Sequence, residues 1–259
     1  MITSTKNPAV AEVRELVRRA RARRESGTYI VEGRRMVSEV PPERFVRGFV
    51  TEAFLERCGT AALGGLPYDT VTDAVMDAMA DTVTPQGILA IVRMHDVRPE
   101  DLPGDGAPLY LVLEGISDPG NMGTLLRTAE GAGASAVVLA GDCADPYQPK
   151  AVRSSMGSLL RMPVCRMGDG AQAAALLQKK GVRCFGAALE GSVPYTEAAY
   201  TGPAALFVGS EAHGLARETV AAMDACVRIP MEGKVESLNA AVAGAVLLYE
   251  AKRQRGQQV

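Results

Sequence analysis

Histidine is nearly absent: His95 and His213 are the two in 259 residues, and they stand far apart. A zinc site has almost nothing to build on, so no metal is expected. The five cysteines (Cys58, Cys143, Cys165, Cys184 and Cys226) are odd in number, scattered, and never form Cys-x-x-Cys. That pattern excludes a disulfide framework and reads as reduced, partly buried thiols. Long apolar runs are missing too. The longest, Ala240 to Tyr249, is interrupted by Gly244, and the first residues, MITSTKNPAV, carry no secretory stretch. Neither can cross a bilayer, so the expectation is a soluble, cytoplasmic protein without membrane contact.

Net positive charge is also lacking, at −2 for the whole chain. Taken alone this argues against a nucleic-acid binder, but the charge is uneven. Residues 1–35 hold nine Lys or Arg against four Glu, so this segment is at +5 and the remainder at −7. Such asymmetry hints at a basic surface for a polyanion.

What is present is an α/β pattern of apolar runs separated by helical stretches. Asn7-Pro8 reads as a helix cap followed by proline at the first helical position. The helix after it would bury Val10, Val13, Val17 and Ala20 and carry a stripe of Arg14, Arg18 and Arg21. That stripe reads equally well as a solvated helix face. Tyr29-Ile30-Val31, Phe45 to Val50 and Ile88 to Val92 read as short strands of a first unit. Residues 96–107 concentrate Pro, Gly and acidic residues without apolar periodicity and are taken as a linker between domains at 1–95 and 108–259. Beyond it, runs at Leu109 to Leu113, Ala136 to Ala140, Val182 to Ala187, Ala204 to Val208 and Val227 to Ile229 alternate with helices. These begin near Asn121, around Lys150 and at Ser237, and the alternation implies a mainly parallel sheet covered on both faces.

In such sheets ligands bind beyond the carboxyl ends of the strands, so the loops after the apolar runs are the places to search. Glu114 to Arg127, EGISDPGNMGTLLR, is a polar turn leading into a helix. It fails as a dinucleotide fingerprint because Gly120 and Gly123 do not make G-x-G-x-x-G. Asn121 could be a helix cap and Arg127 a surface cation. Gly209 to Leu215, GSEAHGL, follows a strand, and its glycine lets backbone approach a ligand. His213 there has no visible partner and reads as a bystander. Ile229 to Asn239, IPMEGKVESLN, precedes a helix in which Ala240, Ala243 and Gly244 permit close packing, against the sheet or against another subunit. Ser237 is the expected cap of that helix.

In this order the three segments resemble the SpoU (TrmH) branch of the SPOUT methyltransferases, which are RNA 2'-O-ribose methyltransferases. The matching pattern is Asn-x-Gly-x-x-x-Arg at Asn121, Gly123 and Arg127, then Gly-x-Glu-x-x-Gly-Leu at Gly209, Glu211, Gly214 and Leu215. It ends with Ile-Pro-Met-x-Gly-x-x-x-Ser-Leu-Asn at Ile229, Pro230, Met231, Gly233, Ser237, Leu238 and Asn239. ITSTKNP, YIVEGRR and TPQGILAIVR are similar to a small substrate-binding domain akin to an L30e-type ribosomal protein. Ala212 departs from the common glycine, and Ala241 from the common valine or leucine.

The resemblance implies a C-terminal trefoil knot and dimerisation through the final helices. It also implies S-adenosylmethionine held near Gly209, Ile229, Pro230, Met231 and Leu238. The residues it assigns to catalysis are Arg127, Asn121, Glu211, Ser237 and Asn239, with no metal. The implied partner is RNA, with ribosomal (23S) RNA favoured by the N-terminal domain. Arg18, Arg21, Arg34, Lys150 and Arg153 are the expected RNA contacts. A transfer-RNA methyltransferase, a catalytically silent RNA-binding or ribosome-assembly protein, and a nicotinamide-dependent oxidoreductase are the rival readings. The last is disfavoured by the missing glycine fingerprint.

Overall fold

The structure, a computed structural model, describes residues 1–233 and 237–256. The middle of the third motif (234–236) and the end of the expected C-terminal domain (257–259) therefore lie outside the described residues. The chain divides into two units.

The first unit comprises Met1–Met94 together with Asp145–Leu160. It opens with α1 (Pro8–Arg18), capped by Asn7, whose side chain accepts from Ala9 N–H, with proline in the first turn as expected. The helix then breaks. Arg19 is extended (φ −119°, ψ 115°), and a separate α2 (Ala20–Ser26) follows. Arg21 thus lies on a different helix from Arg14 and Arg18, and the single stripe predicted from the spacing does not exist. The apolar face of α1 is Ala9, Val10, Val13 and Leu16.

Next come β1 (Thr28–Glu32), α3 (Arg34–Ser38), β2 (Phe45–Thr51) and α4 (Glu52–Cys58). The unit continues with β3 (Tyr68–Val71), α5 (Asp73–Met79) and β4 (Ile88–Arg93). The sheet order is β1-β4-β2-β3, with β1 and β2 antiparallel to β4 and β3 parallel to β2. β3 escaped the sequence reading because Tyr68-Asp69-Thr70-Val71 is a polar edge strand.

The second unit, His95–Ala144 with Arg161–Val259, is built on eight strands joined by parallel pairings. In chain order it supplies β5 (Asp96–Val97), β6 (Leu109–Glu114), α6 (Pro119–Ala132) and β7 (Ala136–Ala140). The intervening α7 (Pro149–Ser155) belongs to the first unit. β8 (Val164–Met167), α8 (Gly170–Lys179), β9 (Arg183–Ala187) and β10 (Val193–Pro194) follow. The unit closes with β11 (Ala204–Gly209), α9 (Arg217–Ala221), β12 (Ala225–Arg228) and α10 (Ala240–Gly256). The order is β10-β12-β9-β11-β6-β7-β8-β5.

The central strands are apolar throughout because both their faces are covered. Tyr110, Val112, Val138, Ala205 and Phe207 point one way and pack with Ala173, Ala174 and Leu177 of α8. By the two-residue strand period, Leu111 and Leu113 point the other way, toward the side that takes α6 and α10. Gly244 of α10 lies against α6, where a Cβ would come within 2.5 Å of Leu125 Cδ2. The small residues of the last helix thus permit contact within the chain.

Two further features differ from the sequence reading. The stretch expected as a linker at 96–107 contributes β5, which pairs with β8, and buries Leu102 at 5% exposure. Residues 145–160 pack with residues 1–94 rather than with the sheet that flanks them in sequence. There the buried Arg23 pairs with Asp145 at 2.7 Å and donates to the Leu16 and Val17 carbonyls. The Tyr29 and Tyr147 rings meet at 4.8 Å. No local signal in the sequence announces an ion pair between positions so far apart.

Candidate active site

Four parallel strands, β6, β9, β11 and β12, end at one edge of the larger sheet, and the loops after them are where the unusual residues gather. After β6, Asp118 caps α6 by accepting from Asn121 N–H at 2.8 Å, with Pro119 in the first turn. Asn121 is therefore not the cap that the sequence suggested, and its side chain is released for other work.

After β11 the chain folds back on itself. Gly214 N–H donates to the Ser210 carbonyl at 2.8 Å. A Cβ on Gly209 would lie 2.1 Å from Gly214 C and 2.3 Å from Leu215 N, so backbone occupies the space a side chain needs. Only glycine fits there.

After β12 the third loop leads into α10, whose cap is Asn239 rather than Ser237. Asn239 Oδ1 accepts from Ala241 N–H at 2.9 Å. Its amide Nδ2 donates to Asn121 Oδ1 at 3.2 Å, and Asn121 Nδ2 donates in turn to the Glu211 carboxylate. One side-chain relay thus ties the three motifs together, although they are up to 118 residues apart. An asparagine can serve in the middle because its side chain both accepts and donates.

Glu211 also borders a cavity of about 870 Å³. Gly209, Ile229, Met231, Ser237 and Leu238 line it, with Val208, Leu215, Val220, Val227 and Leu247 among its apolar walls. Pro230, Asn121, Asn239 and Arg127 are not part of the lining. Arg127 lies on an exposed face of α6 and makes no hydrogen bond or ion pair among the described residues. Ser237 is exposed at the cavity. His213 lines it too, while its backbone N–H donates to Ser210 Oγ at 3.3 Å.

The sequence reading missed the wall formed by Ala187, Ala188, Leu189 and Glu190 after β9, and also Arg217 and Arg228. The available signal was the end of the apolar run Val182 to Ala187, which obeys the same strand-end rule as the other loops.

The expected RNA contacts Arg18, Arg21, Arg34, Lys150 and Arg153 all fall in the first unit, two of them through its inserted segment. Arg21 pairs with Glu25 at 2.7 Å and Arg153 with Asp81 at 2.5 Å. Arg34 reaches Cys58 Sγ at 3.9 Å and Lys150 is exposed. Arg18 is exposed without a partner among the described residues. Among the described residues no cluster of His, Cys, Asp or Glu could hold a metal, and no helix is long and apolar enough to cross a membrane.

The cavity suits an adenosyl sulfonium. Its walls are largely apolar, Gly209 is part of its lining, and Glu190 and Glu211 stand among its lining residues beside Arg217 and Arg228.

Comparison with known proteins agrees with this geometry. The SpoU rRNA Methylase family matches residues 108–249, and the MRM3-like substrate binding domain matches residues 7–90. The 23S rRNA (guanosine(2553)-2'-O)-methyltransferase RlmP of Bacillus subtilis (strain 168) is 32% identical over 97% of this chain and 98% of its own. The AdoMet-bound rRNA methyltransferase from Sinorhizobium meliloti superposes with a TM-score of 0.85 at 30% identity, over 97% of each chain. The SpoU methyltransferase AviRb from Streptomyces viridochromogenes, in complex with AdoMet, gives 0.86 at 26% identity, over 96% of this chain and 98% of that one. With the family match spanning more than half its length, and the three motif loops meeting at one strand edge, this chain belongs to the SpoU rRNA methylase family.

Proposed function

We infer that the protein transfers a methyl group from S-adenosylmethionine to a ribose 2'-hydroxyl of RNA, and that the RNA is 23S ribosomal RNA in the cytoplasm. The observation that carries this reading is the Asn239–Asn121–Glu211 relay, which ends at a cavity lined by Glu211 and Gly209. The names of the relatives support the ribosomal substrate, as does the match to a substrate-binding domain in the first unit.

The cofactor brings an electrophilic methyl on a sulfonium. The chain must then bind and orient, exclude water and manage one proton. Gly209, Ile229, Met231 and Leu238 would hold the cofactor, with Pro230 shaping the turn between them. Asn121, Glu211, Ser237 and Asn239 would orient the ribose.

Arg127 would act on the hydroxyl as it loses its proton. A free guanidinium is a poor base, with a pKa above about 12. Its role is therefore to stabilise the developing alkoxide electrostatically, while an RNA phosphate or solvent takes the proton. Arg127 is exposed and outside the lining of its own chain's cavity, so we propose that a second subunit brings it to the site. Val242 and Tyr249, 49% and 51% exposed on α10, supply an apolar stripe for such a homodimer. The family resemblance further supports a trefoil knot in the segment spanning the second and third motifs.

The test is transfer of tritium from labelled cofactor to total RNA, followed by mapping of ribose methylation in cells with and without the protein. One lost 23S site is expected. An unchanged map together with absent transfer would sink the reading.

A further inference from the structure

Glu114, the last residue of β6, does not line the cavity, yet its carboxylate is fully engaged beside it. Oε1 accepts from Gly170 N–H at 3.0 Å and from the Thr219 hydroxyl at 2.7 Å, while Oε2 accepts from Ala216 N–H at 2.9 Å. No cation pairs with it among the described residues. Its partners are three neutral donors, two of them in the segment that walls the cavity.

Ala216 immediately precedes α9, a helix without a side-chain cap of its own, and Thr219 sits inside that helix at 1% exposure. Between and around these two anchor points, Gly214, Leu215, Arg217, Val220 and Ala221 line the cavity. Gly170 opens α8, and a Cβ there would lie 2.5 Å from both Glu114 Oε1 and Thr219 Oγ1. The niche is therefore closed on the carboxylate from the α8 side and holds nothing larger.

We infer that Glu114 is a positioning residue whose carboxylate latches the Gly214–Ala221 wall in the shape that receives S-adenosylmethionine, without touching the cofactor or the ribose. The inference rests on the activity proposed above. A carboxylate is needed because it only accepts, whereas a glutamine amide would turn an N–H toward one of three donors. The donor left facing it would lose its partner, and the wall would loosen.

The test uses the full chain carrying Glu114→Gln, Thr219→Val, or both. Cofactor affinity is measured by calorimetry, amide exchange at Ala216 and Gly170 by NMR, and turnover at saturating cofactor. E114Q is expected to weaken cofactor binding about tenfold, equivalent to one lost hydrogen bond at a polar site. Exchange at Ala216 should quicken, while kcat at saturation and KM for RNA stay within about twofold. Thr219→Val should shift affinity the same way by less, and the double variant by less than the product, because the two share Oε1. Unaltered exchange at Ala216 in E114Q, or a fall in kcat with cofactor affinity intact, overturns the latch. Failure of the unsubstituted chain to bind the cofactor would instead overturn the activity reading.

Discussion

At the residue scale, Gly209 carries the sharpest constraint in the molecule. A methyl there meets the backbone of Gly214 and Leu215, and backbone cannot rotate away as the tip of a flexible side chain can. Gly209→Ala is expected to abolish detectable cofactor binding in calorimetry while far-ultraviolet circular dichroism stays unchanged. Binding within twofold of wild type would show that the loop re-forms elsewhere. Arg127→Ala should remove methyl transfer yet leave cofactor affinity intact, because Arg127 stands outside the lining of its own chain's cavity. Two thiols give a separate check. Burial pushes Cys184 up to about 12 and Cys165 to about 11, so both remain protonated and shielded near neutrality. They should resist a thiol reagent at pH 8 until the chain unfolds. In the unfolded chain they ionise near about 8.5. Stability is therefore fully present below that pH and falls as pH rises toward the two folded values. A thermal midpoint that stays level between pH 8 and 10.5 would contradict this.

At the element scale, the inserted segment with α7 is held by an ion pair whose two side chains are 4% and 14% exposed. Arg23→Ala would remove the cation from a largely buried ion pair, at an expected cost of about 3–5 kcal/mol in denaturant unfolding. Arg21→Ala, which breaks an exposed pair with Glu25, should cost under about 1 kcal/mol. Equal losses in the two variants would mean that burial is not what gives the first pair its weight. The same scale shows where reading by pattern succeeds. Strands β1, β2, β4, β6, β7, β9, β11 and most of β12 were legible because buried strands are largely apolar runs. β3, β5, β8 and β10 were not, since short or polar strands gain their identity from a neighbour rather than from their own composition. The helix predicted across Arg14 to Arg21 failed at Arg19, where nothing in the local residue types marks the break.

At the scale of the whole molecule, the basic residues chosen from the sequence share one unit only because residues 145–160 join residues 1–94. If that unit binds RNA, Arg18→Ala and Lys150→Ala should weaken binding to all sequences alike. Each should also reduce the slope of log affinity against log salt by about 0.7–0.9. An unchanged slope would place the RNA elsewhere.

By itself the sequence determined the class of the larger unit, the three motif loops and the family, because apolar runs and glycine spacing are local properties of the chain. Only the tertiary structure decided that Asn239 rather than Ser237 caps the last helix, that Asn121 is free to bridge it to Glu211, and that Glu114 serves the cavity from behind. The last two depend on hydrogen bonds between residues 90 to 118 positions apart. Such bonds form only once the sheet has brought its strand ends to one edge, and no spacing along the chain encodes them.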